Sequence, residues 1–445
     1  VLGSLVGEGT HMNSHASAPV TRRLAPLRDF LRTEGAGGAL LVAATVLALV
    51  WANSPWKGSY QSFWHTDIGV AVGSFDFTLD LRHWVNDGLM TLFFFVVGLE
   101  IKREITTGHL ASRRAATLPI VAAIGGMAVP AVIYLLIAGR DAPNGWGVPM
   151  ATDIALAVGV LLVMGKKIPT SVRVFLLGLA VVDDIGAILV IAIFYSDDVS
   201  FRWLAIGAVL VGASVIVRIR KLWIVSVYVL LGTALWYALH EAGIHPTLTG
   251  VFMGLLAPAI PRVWNTYVDI EEVPEAAYDD ARRLQQNAKS SVSIVEWFEH
   301  LLHPWTSYLV VPIFALANAG IELSSDTFER VLTSAVGWGI FAGLVVGKPL
   351  GVMAASLFAL RTGSADRPSL ATTKMLLGAG HAAGIGFTVA LFVAELAFTN
   401  ETDLAEAKIA ILAASIVSAV LSVGVLSTVK KQEPKPAKTG LSDVP

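Results

Sequence analysis

The chain has 445 residues, of which 55% are hydrophobic and 15% charged, and its mean hydropathy is +0.66. An ordinary soluble domain is about 25% charged, so this balance excludes a soluble globular protein and defines a polytopic membrane protein. A net charge of -2 gives no global attraction to nucleic acid or acidic partners, and the absence of cysteine excludes disulfides and thiolate metal sites.

Residues 1–20 contain no apolar core of signal-peptide length, so no cleaved targeting segment is expected there. Gly9-Thr10-His11-Met12 resembles a cloning scar or an upstream alternative start, and residues 1–11 are set aside; residues 1–35 as a whole read as a cytoplasmic arm. Twelve apolar segments of spanning length or near it follow, at 36–53, 84–101, 115–138, 149–165, 172–195, 202–218, 222–240, 245–260, 305–322, 333–359, 373–398 and 405–429. They predict an all-α domain of twelve transmembrane helices over 36–429, followed by a Pro- and Lys-rich, disordered cytoplasmic tail at 430–445.

The loop 54–83 joins the first two segments. Within it the alternating runs G-V-A-V-G and F-D-F-T-L-D-L flank a Gly-Ser turn, which fits an extracytoplasmic β-hairpin or a plain structured loop. A lone hairpin is marginally stable, so a hairpin here is expected to pair, for example with a second copy of the chain. The long connection at 261–302 carries Asp269, Glu271 and Glu272 and then Arg282 and Arg283, and reads as a cytoplasmic linker. Sorting Lys and Arg onto alternate sides puts 25 of the 32 on one side and six on the other, which makes both termini cytoplasmic.

The cation left over is Lys348, inside a membrane segment, and Asp153, Asp183 and Asp184 lie inside apolar segments too. A charge at a membrane helix centre costs about 2.5–3.5 kcal/mol, so these side chains are expected to face one another and a hydrated cavity. Asp183 and Asp184 are neighbours on a helix and point about 100° apart. One can meet a cationic partner, for which Lys348 is the candidate, while the other lines a cavity. One lysine cannot neutralise three carboxylates, and the surplus suits a proton or a hard cation such as Na+, competing for the same oxygens and thereby coupling their fluxes. For Lys348 an architectural ion pair is the competing reading. An intramembrane aspartyl protease needs its carboxyls on two facing helices, a channel needs a repeated selectivity loop, and a scaffold needs no buried charges. The reading is therefore a secondary transporter, with no enzyme activity and no cofactor.

Two segments are interrupted. Pro149 to Gly165 is broken at Pro149 and Thr152-Asp153, and Gly378 to Val393 contains Gly378, Gly380, Gly384 and Gly386. Such breaks mark discontinuous helices, whose freed backbone groups and dipole ends meet ions, or in the glycine case close helix packing. Asp153 suits two facing positive helix ends, and Lys348 negative ends. At the cytoplasmic edge Glu100, Arg103 and Glu104 share one helical face, and Glu299, His300 and His303 precede the ninth segment. These groups fit either a tuner of local proton supply or ordinary interfacial salt bridges. His245 and His381 read as packing residues.

The stretches A-T-D-I-A-L-A-V-G-V-L (151–161), A-V-V-D-D-I-G-A-I (180–188), V-N-D-G-L-M-T-L-F-F-F-V-V-G-L-E-I-K-R-E (85–104), G-I-H-P-T-L-T-G-V (243–251), L-H-P-W (302–305), F-A-L-A-N-A-G (314–320), G-K-P-L-G (347–351) and G-I-G-F-T (384–388) resemble the bacterial NhaA-type sodium/proton antiporters. The resemblance runs from about Phe30 to Val429. It implies two inverted repeats, helices 3–5 and 10–12, with broken helices 4 and 11 crossing at the midplane. It further implies Asp184 as the main carboxylate for Na+ or H+, Asp183 as its partner coupled to Lys348, and Asp153 and Thr152 at the crossing. Glu100, Arg103, Glu104, Glu299, His300 and His245 fall where the family places its pH response. Electrogenic import of H+ against export of Na+ or Li+ is implied, with K+ as the alternative ion, as is a homodimer in the cytoplasmic membrane through the loop between helices 1 and 2. The acidic 261–298 insert departs from the family pattern.

Overall fold

The computed structural model describes residues 18–73, 75–196, 199–220, 224–258 and 294–429. The expected arm before residue 18, most of the 261–302 linker and the 430–445 tail lie outside the described residues, as do the linker charges Asp269, Glu271, Glu272, Arg282 and Arg283.

Helix α1 (Ala18–Ala52) is apolar enough to span a membrane from Gly35 onward. The short α2 (Lys57–Trp64) then leads into a two-stranded antiparallel sheet of β1 (Asp67–Val72) and β2 (Phe75–Asp80), in register from Asp67 opposite Asp80 to Val72 opposite Phe75. Gly73, at φ +63, supplies the left-handed backbone that a tight hairpin turn requires. Asp80 ends the sheet and starts α3 (Leu81–Thr106) by accepting the His83 N–H at 2.7 Å. A π-helical turn interrupts α3 at Trp84–Leu89.

Helix α4 (Arg113–Ala138) is continuous. After it the chain makes a 3-10 segment, Pro143–Met150, runs extended through Ala151 and Asp153, and only then forms α5 (Ile154–Val163). Helices α6 (Thr170–Phe194), α7 (Phe201–Ile219), α8 (Val225–Glu241) and α9 (Leu248–Leu256) follow, and α10 covers 294–318 around a π turn at Thr306–Val310. Helix α11 (Ser325–Thr333) connects to α12 (Ala335–Arg361), which carries a π turn at Gly343–Gly347. Helices α13 (Thr373–Ala383) and α14 (Phe387–Ala397) meet at a bend of 44°, and α15 (Glu401–Ser427) closes the described chain.

Among the described residues eight helices are long and apolar enough to cross a membrane, and α13 with α14 make a ninth if the bent pair is one span. The other three of the twelve apolar segments form α8, α9 and α10. Of these α8 has 17 residues and α9 only nine, because the turn containing His245 and Pro246 delays its start. The outer surfaces are apolar, with Leu136 80% and Val209 71% exposed, as lipid-facing positions require. Between α4 and α12 the backbones nearly touch: a Cβ on Gly351 would stand 2.1 Å from the Gly125 carbonyl oxygen. That close approach fixes the helix from which Lys348 projects.

Candidate ion-binding site

Two interrupted segments cross in the interior and are joined there by a backbone hydrogen bond. The Asp153 N–H donates to the Ile385 carbonyl at 2.7 Å, tying the start of α5 to the break between α13 and α14. Asp153 caps α5 by accepting the Leu156 N–H on Oδ1 at 3.0 Å, and on Oδ2 it accepts the Thr388 N–H at 3.1 Å and the Thr388 hydroxyl at 2.6 Å. One carboxylate thus meets the first turns of two short helices, where unpaired N–H groups and the positive dipole ends lie.

The opposite polarity is met by Lys348, which is fully buried. Its ammonium stands 2.7 Å from Asp183 Oδ2 and donates to the Met150 carbonyl, the last of the 3-10 segment. The Thr152 hydroxyl lies 2.8 Å from both Asp183 Oδ2 and the Ala383 carbonyl and donates its one proton to either. Asp183 Oδ1 has no hydrogen-bond partner among the described residues.

Asp184 faces elsewhere. It lines a cavity with Glu100, Thr152, Asp153, His303 and Thr388, in which Asp183 takes no part. Asp184 is 5% exposed, and its carboxylate makes no hydrogen bond to any described residue. The angular separation of neighbouring helical positions has therefore sent one aspartate to a lysine and the other to an open space. Among the described residues no three His, Asp or Glu side chains gather as a metal-binding group.

At the far end of this cavity Arg103 forms a hydrogen-bonded ion pair with Glu299 and stands 3.5 Å from Glu104, while His303 Nε2 lies 3.9 Å from Glu100 Oε1. Burial pushes the Glu299 carboxyl up from its ordinary value of 4.5, and the opposing pull of Arg103 and His303 offsets only part of that rise. His300 is exposed and His245 sits at the turn before α9; neither lines the cavity.

The glycines divide between the two readings open in the sequence. Gly378 and Gly380 lie inside continuous α13 and give close packing, a Cβ on Gly378 falling 2.4 Å from Leu426 Cδ2 and one on Gly380 falling 3.2 Å from Pro349 Cα. Gly384 and Gly386 flank the break, where Cβ atoms would come 2.5 Å from the Leu344 carbonyl oxygen and 3.0 Å from that of Ala151. Spacing alone did not single out Thr388, nor His303 over His300, and the Met150 carbonyl has no side-chain signal at all. The only hint of Thr388 was its place at the end of G-I-G-F-T.

An interior where broken helices cross beside buried charges, inside a bundle with an apolar exterior, is that of a multi-pass membrane transporter. The chain belongs to the family described as Na+/H+ antiporter 1, which matches residues 28–426. Curated relatives include a Na(+)/H(+) antiporter NhaA from Rhodopirellula baltica, 45% identical over 92% of this chain and 95% of the relative. A Na(+)/H(+) antiporter NhaA 3 from Frankia alni is 44% identical over 92% of this chain and 89% of its own length, and an NhaA 2 from Myxococcus xanthus is 44% identical over 92% and 91%.

Proposed function

We propose that the protein is an electrogenic antiporter that exports Na+ or Li+ in exchange for more than one H+ across the bacterial cytoplasmic membrane, serving pH and sodium homeostasis. The observation that carries this reading is the division of labour within one helix, with Asp183 held by Lys348 and Asp184 in the cavity without a hydrogen bond to any described residue. A carboxylate so deeply buried is most favourable when neutralised, either by a proton or by a small cation, and the two exclude one another on the same oxygens. Alternate loading of Asp184 by Na+ and H+ is antiport. Asp183 supplies a second proton-binding carboxylate whose release from Lys348 accompanies its protonation, so that more than one H+ moves per cation. Asp153 and Thr152 hold the crossing, and Glu100, Arg103, Glu104 and Glu299, with His300 and His245 more remote, tune the pH response.

In the same reading α8, α9 and α10 complete twelve spans, and α4–α6 and α12–α15 are inverted repeats, since in each the middle unit is interrupted between two continuous helices. The arm, the 261–302 linker, the tail and both termini are cytoplasmic, the hairpin is extracytoplasmic, and two copies join through it.

Purified protein in liposomes, assayed for H+ movement against Na+, Li+ and K+ across a range of pH, tests the proposal. Exchange with Na+ and Li+, lost at every pH in Asp184→Asn and accelerated or slowed by an imposed membrane potential, is the expected result. Retained exchange in Asp184→Asn removes the carboxylate from its role, and a rate indifferent to potential removes electrogenicity.

A further inference from the structure

The cavity reaches Asp184 from the end of the molecule that carries Glu100 and His303. Three helices run from that end toward the hairpin: α3 from Glu100 to Arg82, α10 from His303 to Ala317, and α14 from Thr388 to Glu395. The hairpin end is marked by Tyr60, whose hydroxyl lies 2.9 Å from the carbonyls of both Leu316 and Ala317 at the end of α10 and donates its one proton to either, and which lies within electrostatic range of Arg82 and Glu395. Midway, each helix contributes one buried phenylalanine. Phe392 of α14 is fully buried, with ring centroids 5.2 Å from Phe94 of α3 and 6.3 Å from Phe314 of α10.

Thr388, Phe392 and Glu395 are spaced by four and three residues and so share one face of α14, leading from the ion site through the aromatic barrier to the hairpin end. There Glu395 Oε1 is 2.5 Å from Lys408 Nζ of α15, with both side chains largely buried, at 13% and 8% exposure. Glu406, the neighbouring acid on α15, is occupied by the Ser334 hydroxyl. Arg82 of α3 lies within electrostatic range of Lys408.

The antiport mechanism leaves this second buried ion pair unused. We propose that Lys408–Glu395 is a latch that holds the end of α14 against α15 and so keeps Phe392 across the hairpin-side path to Asp184. A buried pair of this kind is strongly unfavourable when one partner is left alone, a property that suits a two-state fastening between helices. Because Phe392 stands one turn from Thr388, displacement of α14 that opened the barrier would also pull on the Thr388 bonds to Asp153, linking outer access to the occupied site. The proposal rests on Asp184 as the transported-ion site, but access can be measured without any ion.

The chain contains no cysteine, so a single introduced thiol reports alone. Ala155→Cys places it in the cavity wall, and Ser62→Cys on exposed α2 is a separate control that defines the hairpin face whatever the orientation. In reconstituted vesicles with a membrane-impermeant thiol reagent, the Ala155→Cys thiol is expected to react from the face opposite the hairpin and slowly from the hairpin face. Adding Glu395→Gln should raise the hairpin-face rate at least tenfold, as should adding Phe392→Ala. The exchange Glu395→Lys with Lys408→Glu should restore the slow rate. An unchanged hairpin-face rate in Glu395→Gln overturns the latch, and so does a charge swap as reactive as Glu395→Gln. Failure of the Asp184→Asn test with these labelling results intact would overturn the antiport reading and leave the gate standing.

Discussion

At the scale of single residues the structure turns on Lys348, which is fully buried and holds both Asp183 and the Met150 carbonyl. Lys348→Met removes one partner of a buried pair and is expected to destabilise the protein by about 3–5 kcal/mol. Lys348→Met with Asp183→Asn leaves neither member of the pair alone and should recover most of that loss in thermal unfolding in detergent; a double variant no more stable than the single one would show that the pair is not energetically coupled. Glu299 makes a prediction about pH. Its folded-state carboxyl is raised by burial, with Arg103 and His303 pulling it back in part, so the folded protein binds more protons than the unfolded chain just above pH 4.5. Stability from this group is therefore present at low pH and is lost as pH rises from about the unfolded pKa through the folded one. The unfolding temperature of Glu299→Gln should fall less than that of the parent over this window, and parallel curves would remove Glu299 as a contributor.

At the scale of elements the decisive feature is where helices stop. Pro149 and the Thr152-Asp153 step end one helix and cap the next, and Gly384 and Gly386 let the other broken pair approach within contact of α12 and of Ala151. A methyl group on Gly384 meets a backbone oxygen at 2.5 Å, whereas one on Gly378 meets the Leu426 side chain, which can shift by a rotamer where a backbone cannot, at 2.4 Å. Gly384→Ala should accordingly lower stability by about 1–3 kcal/mol and impair exchange, with Gly378→Ala milder on both counts. Equal effects, read by unfolding temperature and transport rate, would mean that the crossing is less tightly packed than its geometry indicates.

At the scale of the whole molecule the hairpin is the feature that bears on the proposed pairing of two copies. One of its faces is covered, Phe77 packing edge-on to Trp84, Trp236 and Tyr237 and the Trp84 indole donating to the Ile68 carbonyl at 2.8 Å. A two-stranded sheet nevertheless presents an unpaired edge on each strand, and an edge is a template for pairing with a second copy. If two copies pair through these edges, as proposed above, deletion of 67–80 is expected to leave a monomer in native mass measurements that still exchanges ions; a parent protein that is monomeric, or a deletion protein that is dimeric, would remove the hairpin as the interface.

Composition and the apolar run lengths were sufficient to establish a multi-pass membrane protein, because a membrane leaves the backbone almost no alternative to long apolar helices. The buried charges were equally legible, since Asp153, Asp183, Asp184 and Lys348 interrupt runs that are otherwise apolar. Sequence also showed that neighbouring aspartates must diverge, but not in which direction. That Asp183 meets Lys348 while Asp184 meets the cavity depends on how α6 is rotated against α5 and α12, which is set by packing among distant segments. The same holds for Thr388 on Asp153, for His303 rather than His300 beside Glu100, and for Glu395 beside Lys408. Local pattern determines which groups are too polar for their segment; only the tertiary arrangement decides which partner removes the penalty.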